Sequence, residues 1–309
     1  MVIGGAEDKL KSKVILHRFL HLAGGDDARI VVISTASSLG EAATDLYRQL
    51  FTQLGAKSVS GLRPLTREEA NDPSDAKMLN DATGIFLTGG NQLRLSSVVG
   101  GTKLGAAILA AHERGVVVAG TSAGASAVST HMVAFGASGA TPKHRMVQIS
   151  AGLGLLKGVV VDQHFEQRTR LGRLLAVVAQ SPSLVGMGLD EDTAAIVHAD
   201  QTMEVIGKGA VTVIDGSQVE TDAFNTKGYR PMVVSGAILH SLPAGQRFDL
   251  TARRLLAPVE PSPEKKERRR TRTTAEVRRL AREMAIEGVD SLAMERRRRR
   301  GEAEREASE

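Results

Sequence analysis

The first chemical signal in the chain is a lone serine among small residues, Gly120-Thr121-Ser122-Ala123-Gly124. It follows an apolar, β-branched run at 116–119 and precedes an Ala-rich segment, so it falls where a strand turns sharply into a helix. Such a turn pushes the serine hydroxyl clear of the backbone, in a strained conformation that only small neighbours permit. The N–H of Ala123, opening the helix, is a candidate oxyanion donor aided by the helix N-terminus. A hydrolytic serine also needs a base, and a group to orient that base. His164 comes just after Val159-Val160-Val161 and is the candidate base. Asp190-Glu191-Asp192 ends a further strand with three acids in a row. One of them would reach the histidine while its neighbours face solvent, and their spacing does not choose between Asp190 and Glu191. Beyond His164 stand Arg168, Arg170 and Arg173, the last two on one helical face. Their forked donors suit a substrate carboxylate. His17 and His21, four residues apart, have no carboxylate or Cys to complete a site and are read as surface or half-buried helical histidines, not as a metal pair.

These residues need elements to hold them. Strand-like runs occur at 29–35, 58–62, 84–87, 116–119, 158–161, 184–189, 194–197, 205–207 and 211–214. Helical spacing occurs at 9–23, 41–54, 92–99, 102–114 and 122–134. This alternation predicts an α/β fold: a mostly parallel sheet with helices on both faces, and short antiparallel strands near its end. Ligands bind such sheets beyond the carboxyl ends of the strands, where both Thr88-Gly89-Gly90-Asn91-Gln92 and Gly120–Gly124 fall.

Composition narrows the chemistry. The 309 residues contain no Cys and no Trp, which excludes disulfides, Cys-zinc sites and a thiol nucleophile. No run of about 18 apolar residues is present, and no signal-like start, so the expectation is a cytoplasmic protein that does not span a membrane. The net charge of +5 is uneven. From residue 260 onward there are 15 Lys and Arg against 12 Asp and Glu, a net of +3, leaving 25 against 23, a net of +2, for the body. A nearly neutral body argues against a nucleic-acid surface. Pro258, Pro261 and Pro263 mark a boundary between an α/β domain at 1–258 and a charged extension at 259–309. The extension has mild helical spacing at 274–286 and an arginine run at 296–300, read as a solvated, partly helical or disordered segment.

Five segments in order, Val2-Ile3-Gly4-Gly5-Ala6-Glu7-Asp8-Lys9, Leu87–Gln92, Gly120–Ala125, Asp162-Gln163-His164-Phe165 and Leu189–Ala194, closely resemble the serine peptidase family of cyanophycinases and aspartyl dipeptidases. The resemblance spans roughly 2–250. It implies a fold related to class I glutamine amidotransferases, with serine in place of their cysteine. It also implies a homodimer, and no metal or organic cofactor. By this resemblance Ser122 is the nucleophile, His164 the general base and Glu191 the orienting acid, while Gly90 and Ala123 supply the oxyanion N–H groups. Gln92, Asp162, Gln163, Arg168, Arg170 and Arg173 match positions lining the substrate pocket. The implied reaction is hydrolysis of cyanophycin, a poly-aspartate with arginine on its side-chain carboxylates, to β-Asp-Arg dipeptides. In that setting the arginines would hold a β-aspartyl carboxylate, and Asp162 or Glu166 a substrate guanidinium. Cleavage of small aspartyl or isoaspartyl dipeptides, or ligand binding without catalysis, are the alternatives on the same scaffold. Residue 91 is Asn where many relatives carry Asp, and the charged tail lies outside the resemblance.

Overall fold

The computed structural model describes residues 1–257. The tail helix expected at 274–286, the arginine run and the boundary at 258 lie outside the described residues.

In chain order the strands are β1 (Val2–Ile3), β2 (Arg29–Ile33), β3 (Ser58–Leu62), β4 (Gly84–Leu87), β5 (Val117–Thr121), β6 (His131–Gly136), β7 (Val147–Ala151), β8 (Val159–Gln163), β9 (Val185–Leu189), β10 (Thr193–Val197), β11 (Thr202–Gly207), β12 (Ala210–Asp215), β13 (Glu220–Thr221), β14 (Val234–Ser235), β15 (Ile238–Pro243), β16 (Arg247–Asp249) and β17 (Arg254–Leu256). The α-helices are α1 (Val14–Leu22), α2 (Glu41–Leu54), α3 (Pro73–Met78), α4 (Gln92–Val99), α5 (Lys103–Glu113), α6 (Ala123–Ala127) and α7 (Leu171–Gln180).

The large sheet runs β17-β16-β11-β10-β1-β5-β4-β2-β3. Its β1, β5, β4, β2 and β3 are parallel, and β10, β11, β16 and β17 extend it antiparallel. β4 is buried at every residue, which is why it reads as a short unbroken apolar run. One face is covered by α1 and α2, whose Phe19, Leu46, Tyr47 and Phe51 pack with Ile3, Val32, Phe86 and Ala119. On the other face Leu95, Leu104, Ile108 and Ala125 of α4, α5 and α6 meet Val31, Ile85, Leu87 and Val118. The mixed α/β architecture is thus the expected one.

Three local readings are corrected. First, 158–161 and 184–189 do not continue the large sheet. They become β8 and β9 of a separate sheet, β15-β12-β9-β8, with β8 and β9 parallel. Both strands are buried at every position, so each needs a layer on both faces. α7 supplies one layer, through Val177 against Val160 of β8 and through Leu174 and Val178, which lie close to Gly186 of β9. The main core supplies the other, through Val161, Met187 and Leu189. Second, the expected helix at 122–134 stops at Ala127, and His131–Gly136 pairs with β7. Met132 joins the main core while Val133 packs against Val160 and Val177, an alternation of period two that a helix cannot produce. Third, the helix expected from residue 9 begins at Val14. The Asp8 carboxylate accepts N–H groups from Leu10, Lys11, Ser12 and Lys13 at 3.0, 2.9, 2.7 and 3.1 Å, closing a turn that ends at left-handed Lys13 (φ 48°).

Candidate active site

At the carboxyl end of β5 the backbone of Ser122 takes φ 51° and ψ −112°, outside the regions a side-chain-bearing residue prefers. Small neighbours make this feasible. A Cβ on Gly124 would lie 2.4 Å from the Leu87 carbonyl oxygen, so only glycine lets α6 start this close to β4. The Ser122 hydroxyl lies 2.9 Å from Nε2 of His164, and Nδ1 of His164 lies 2.6 Å from Oε1 of Glu191. A carboxylate only accepts, so Nδ1 carries the hydrogen and Nε2 is left to accept from the serine. Ser122 and His164 are almost fully buried, whereas Glu191 is 37% exposed. Burial, with smaller contributions from the Arg168 and Arg170 charges, holds the His164 pKa below its ordinary 6.5, although Glu191 pulls it upward. The hydrogen bond from His164 holds the Glu191 carboxyl below its usual range. The histidine is therefore neutral at pH 7, as a base must be.

The three acids, alike in sequence, have three tasks. Glu191 faces His164. Asp190 is buried, accepting the N–H groups of Glu166 (3.1 Å) and Ala210 (3.0 Å), so it does not turn to solvent as expected. Asp192 accepts the N–H of Asp8 at 2.7 Å and pairs with Lys208 at 2.5 Å. The segment that joins these parts stood out in the sequence only as a matching motif, with no role attached. Three consecutive carbonyls, of Ile3, Gly4 and Gly5, accept the N–H groups of Ser122, His164 and Asp192, each at 2.9 Å. The double glycine is required here. Gly5 has φ 97°, and a Cβ on it would fall 2.4 Å from Cε1 of the His164 ring. On the far side of Ser122 the Gly89-Gly90 turn packs so closely that a Cβ on Gly89 would lie 3.3 Å from that of Ser122. Ala123 opens α6, so its N–H has no helical acceptor.

The model of peptidase family S51 matches residues 1–206. The chain belongs to peptidase family S51. It is 40% identical over 251 residues to a cyanophycinase from Geminocystis herdmanii, covering 81% of this chain and 92% of that protein. It is also 40% identical over 262 residues to one from Trichormus variabilis, covering 84% and 88%. A crystal structure of a peptidase from an acI-B1 actinobacterium shares the fold, with a TM-score of 0.57 at 22% identity over 78% of this chain and 95% of that one.

In this S51 serine peptidase the expected pocket residues divide between two sides of β8. Gln163 faces Ser122, its Oε1 accepting from the hydroxyl at 3.4 Å. Asp162, one residue earlier, points the other way, toward α7. It is fully buried and held by Arg173, whose Nε donates to it at 2.6 Å, and by Arg170 at 3.3 Å. Arg170 and Arg173 are themselves buried and also donate to the carbonyls of Gln163 and Gly136. Asp162 is thus committed inside the protein and is not open to a substrate guanidinium, a correction that follows from strand alternation. Arg168, half-buried in the turn between β8 and α7, stays on the His164 side. Gln92 donates to the carbonyls of Val133 (3.2 Å) and Ala134 (2.6 Å), tying α4 to β6. Glu166 is exposed. Among the described residues no group of three or more His, Asp or Glu is arranged to hold a metal, and His17 and His21 are both exposed on α1.

Proposed function

We propose that this S51 peptidase degrades cyanophycin to β-Asp-Arg dipeptides by acyl-enzyme chemistry. The relay Ser122–His164–Glu191, with steps of 2.9 and 2.6 Å, carries the reading. Its similarity to two named cyanophycinases along four-fifths of its length supports the substrate. The Ser122 oxygen attacks the carbonyl of an α-peptide bond that follows a β-linked aspartyl unit, and its proton passes to Nε2 of His164. Glu191 stabilises the imidazolium that forms. The tetrahedral oxyanion is received by the N–H groups of Gly90 and Ala123; loss of one such donor costs about 100- to 1,000-fold in rate. His164 then returns the proton to the leaving amine, and water attacks the acyl-enzyme by the same route. Arg168 sets a positive charge beside this centre, suited to a β-aspartyl carboxylate. Family resemblance also supports a homodimer, which light scattering at twice the 32.8 kDa chain mass tests.

The decisive experiment incubates the purified protein with a cyanophycin suspension, beside Asp-X and isoaspartyl dipeptides, and detects β-Asp-Arg by mass spectrometry. Wild type releases it, and Ser122→Ala loses roughly five to six orders of magnitude in kcat while remaining folded. Cleavage of the dipeptides but not of the polymer would replace this reading with a small-peptide one. No cleavage, with Ser122 inert to a fluorophosphonate, would leave a binding module.

A further inference from the structure

Glu7 is a buried carboxylate that the proposed chemistry does not use. It lies in the loop that follows β1, only two residues beyond the Gly5 carbonyl, and its side chain is 1% exposed. Its Oε2 accepts the hydroxyl of Thr121 at 2.6 Å. Its Oε1 accepts the Tyr47 hydroxyl at 2.5 Å and pairs with the buried Lys9 ammonium at 2.9 Å. Lys9 also sits 5.5 Å from the centre of the Tyr47 ring. A charge in this position is costly unless it is paired and hydrogen-bonded, and Glu7 is both. These partners hold its carboxyl below the usual range against the opposing effect of burial.

The location of this cluster gives it a consequence. Thr121 is the last residue of β5 and immediately precedes the strained Ser122. A strained conformation persists only where its surroundings over-determine it. On one side of the turn the Ile3 carbonyl fixes the Ser122 N–H; on the other, Glu7 fixes the Thr121 hydroxyl. Both contacts come from the same short segment, whose Gly4 carbonyl also fixes the His164 N–H. We infer that Glu7, acting through Thr121, is a positioning residue that locks the Ser122 turn in register with His164. It touches no reacting atom. The inference rests on Ser122 being the nucleophile and does not depend on which peptide is cleaved.

The test reads the rate at which a fluorophosphonate labels Ser122, normalised to the labelled fraction at saturation, with thermal melts in parallel. Thr121→Val keeps shape and removes the link. It is expected to slow labelling by about 10- to 100-fold, the scale of a small misplacement of reacting groups. Thr121→Ser keeps the hydroxyl and stays within about threefold of wild type, by the same reasoning. Glu7→Gln slows labelling as Thr121→Val does. Tyr47→Phe removes a hydrogen bond of the same carboxylate away from the turn, so it lowers Tm and leaves the labelling rate intact. Equal slowing by Tyr47→Phe, or a wild-type rate in Thr121→Val, would overturn the inference by showing a purely structural cluster. A wild type that does not label Ser122 would overturn both this inference and the proposed nucleophile.

Discussion

At the scale of single residues, the protonation of His164, the proposed base, is expected to set when the site is active. The histidine serves as a base only when neutral, and burial keeps its pKa below 6.5. With His164 as the base, the rate is therefore expected to be full at neutral pH and to fall as pH drops through that lowered value, with the acid limb of the profile below 6.5. The neighbours shift the limb in opposite directions. Arg168 disfavours the imidazolium, so Arg168→Gln is expected to move the limb toward higher pH. Glu191 favours it, so Glu191→Gln is expected to move the limb toward lower pH while also slowing the reaction. Fluorophosphonate labelling measured between pH 4 and 8 checks both without involving substrate binding. A limb moved the same way by both substitutions would mean that another group controls the acid side. The sequence made Ser122 legible because a β-branched run ending in Gly-Thr-Ser-Ala-Gly has few uses. Spacing alone could not separate Glu191 from Asp190, and only the family resemblance chose Glu191, since adjacent acids in a turn differ only in how that turn is held. That depends on the Ala210 and Glu166 N–H groups that claim Asp190.

At the scale of elements, β1 and its loop do more than their length suggests. Two paired residues sit between β5 and β10, and the next carbonyls tie together Ser122, His164 and Asp192. Backbone acceptors carry no side-chain signature, so the sequence showed this segment only as a matching motif. The same holds for β8, where an apolar run announced a strand but not which of Asp162 and Gln163 would face Ser122. The over-long helix predicted after Ser122 has a related cause: alanines and valines satisfy either period until a pairing strand, here β7, decides. The load on this loop makes Gly5→Ala a sharp test. The left-handed backbone at φ 97° disfavours the added Cβ, and the new atom would press on the His164 ring. The ring must move, so labelling of Ser122 is expected to slow by roughly 100-fold together with a lower Tm. A lower Tm with an unchanged labelling rate would show that the ring can yield without losing its contact to Ser122.

At the scale of the whole molecule, the residues proposed to carry catalysis belong to different sheets. Ser122 leaves β5 of the large sheet, His164 leaves β8 of the smaller one, and Glu191 lies in the turn from β9 to β10, where the chain crosses between them. Their alignment therefore depends on how the two sheets dock. That docking is not a thin interface: one continuous core includes Ile85, Leu87 and Val118 from the large sheet, Ala125 from α6, and Val161, Met187, Leu189 and Val213 from the smaller sheet. Burial on this scale couples the sheets, because exposing either one uncovers apolar surface of the other at roughly 25 cal/mol per Å². The two sheets are thus expected to unfold together. In a urea titration, far-UV circular dichroism, which follows both sheets, and fluorophosphonate labelling, which needs them docked, should lose signal at the same midpoint. Met187→Ala opens a cavity within the shared core and should lower both midpoints equally, by about 2–5 kcal/mol in stability. Labelling lost well before circular dichroism, in wild type or in this variant, would mean that the smaller sheet separates first and that the active site is held by a weaker joint than the shared core provides.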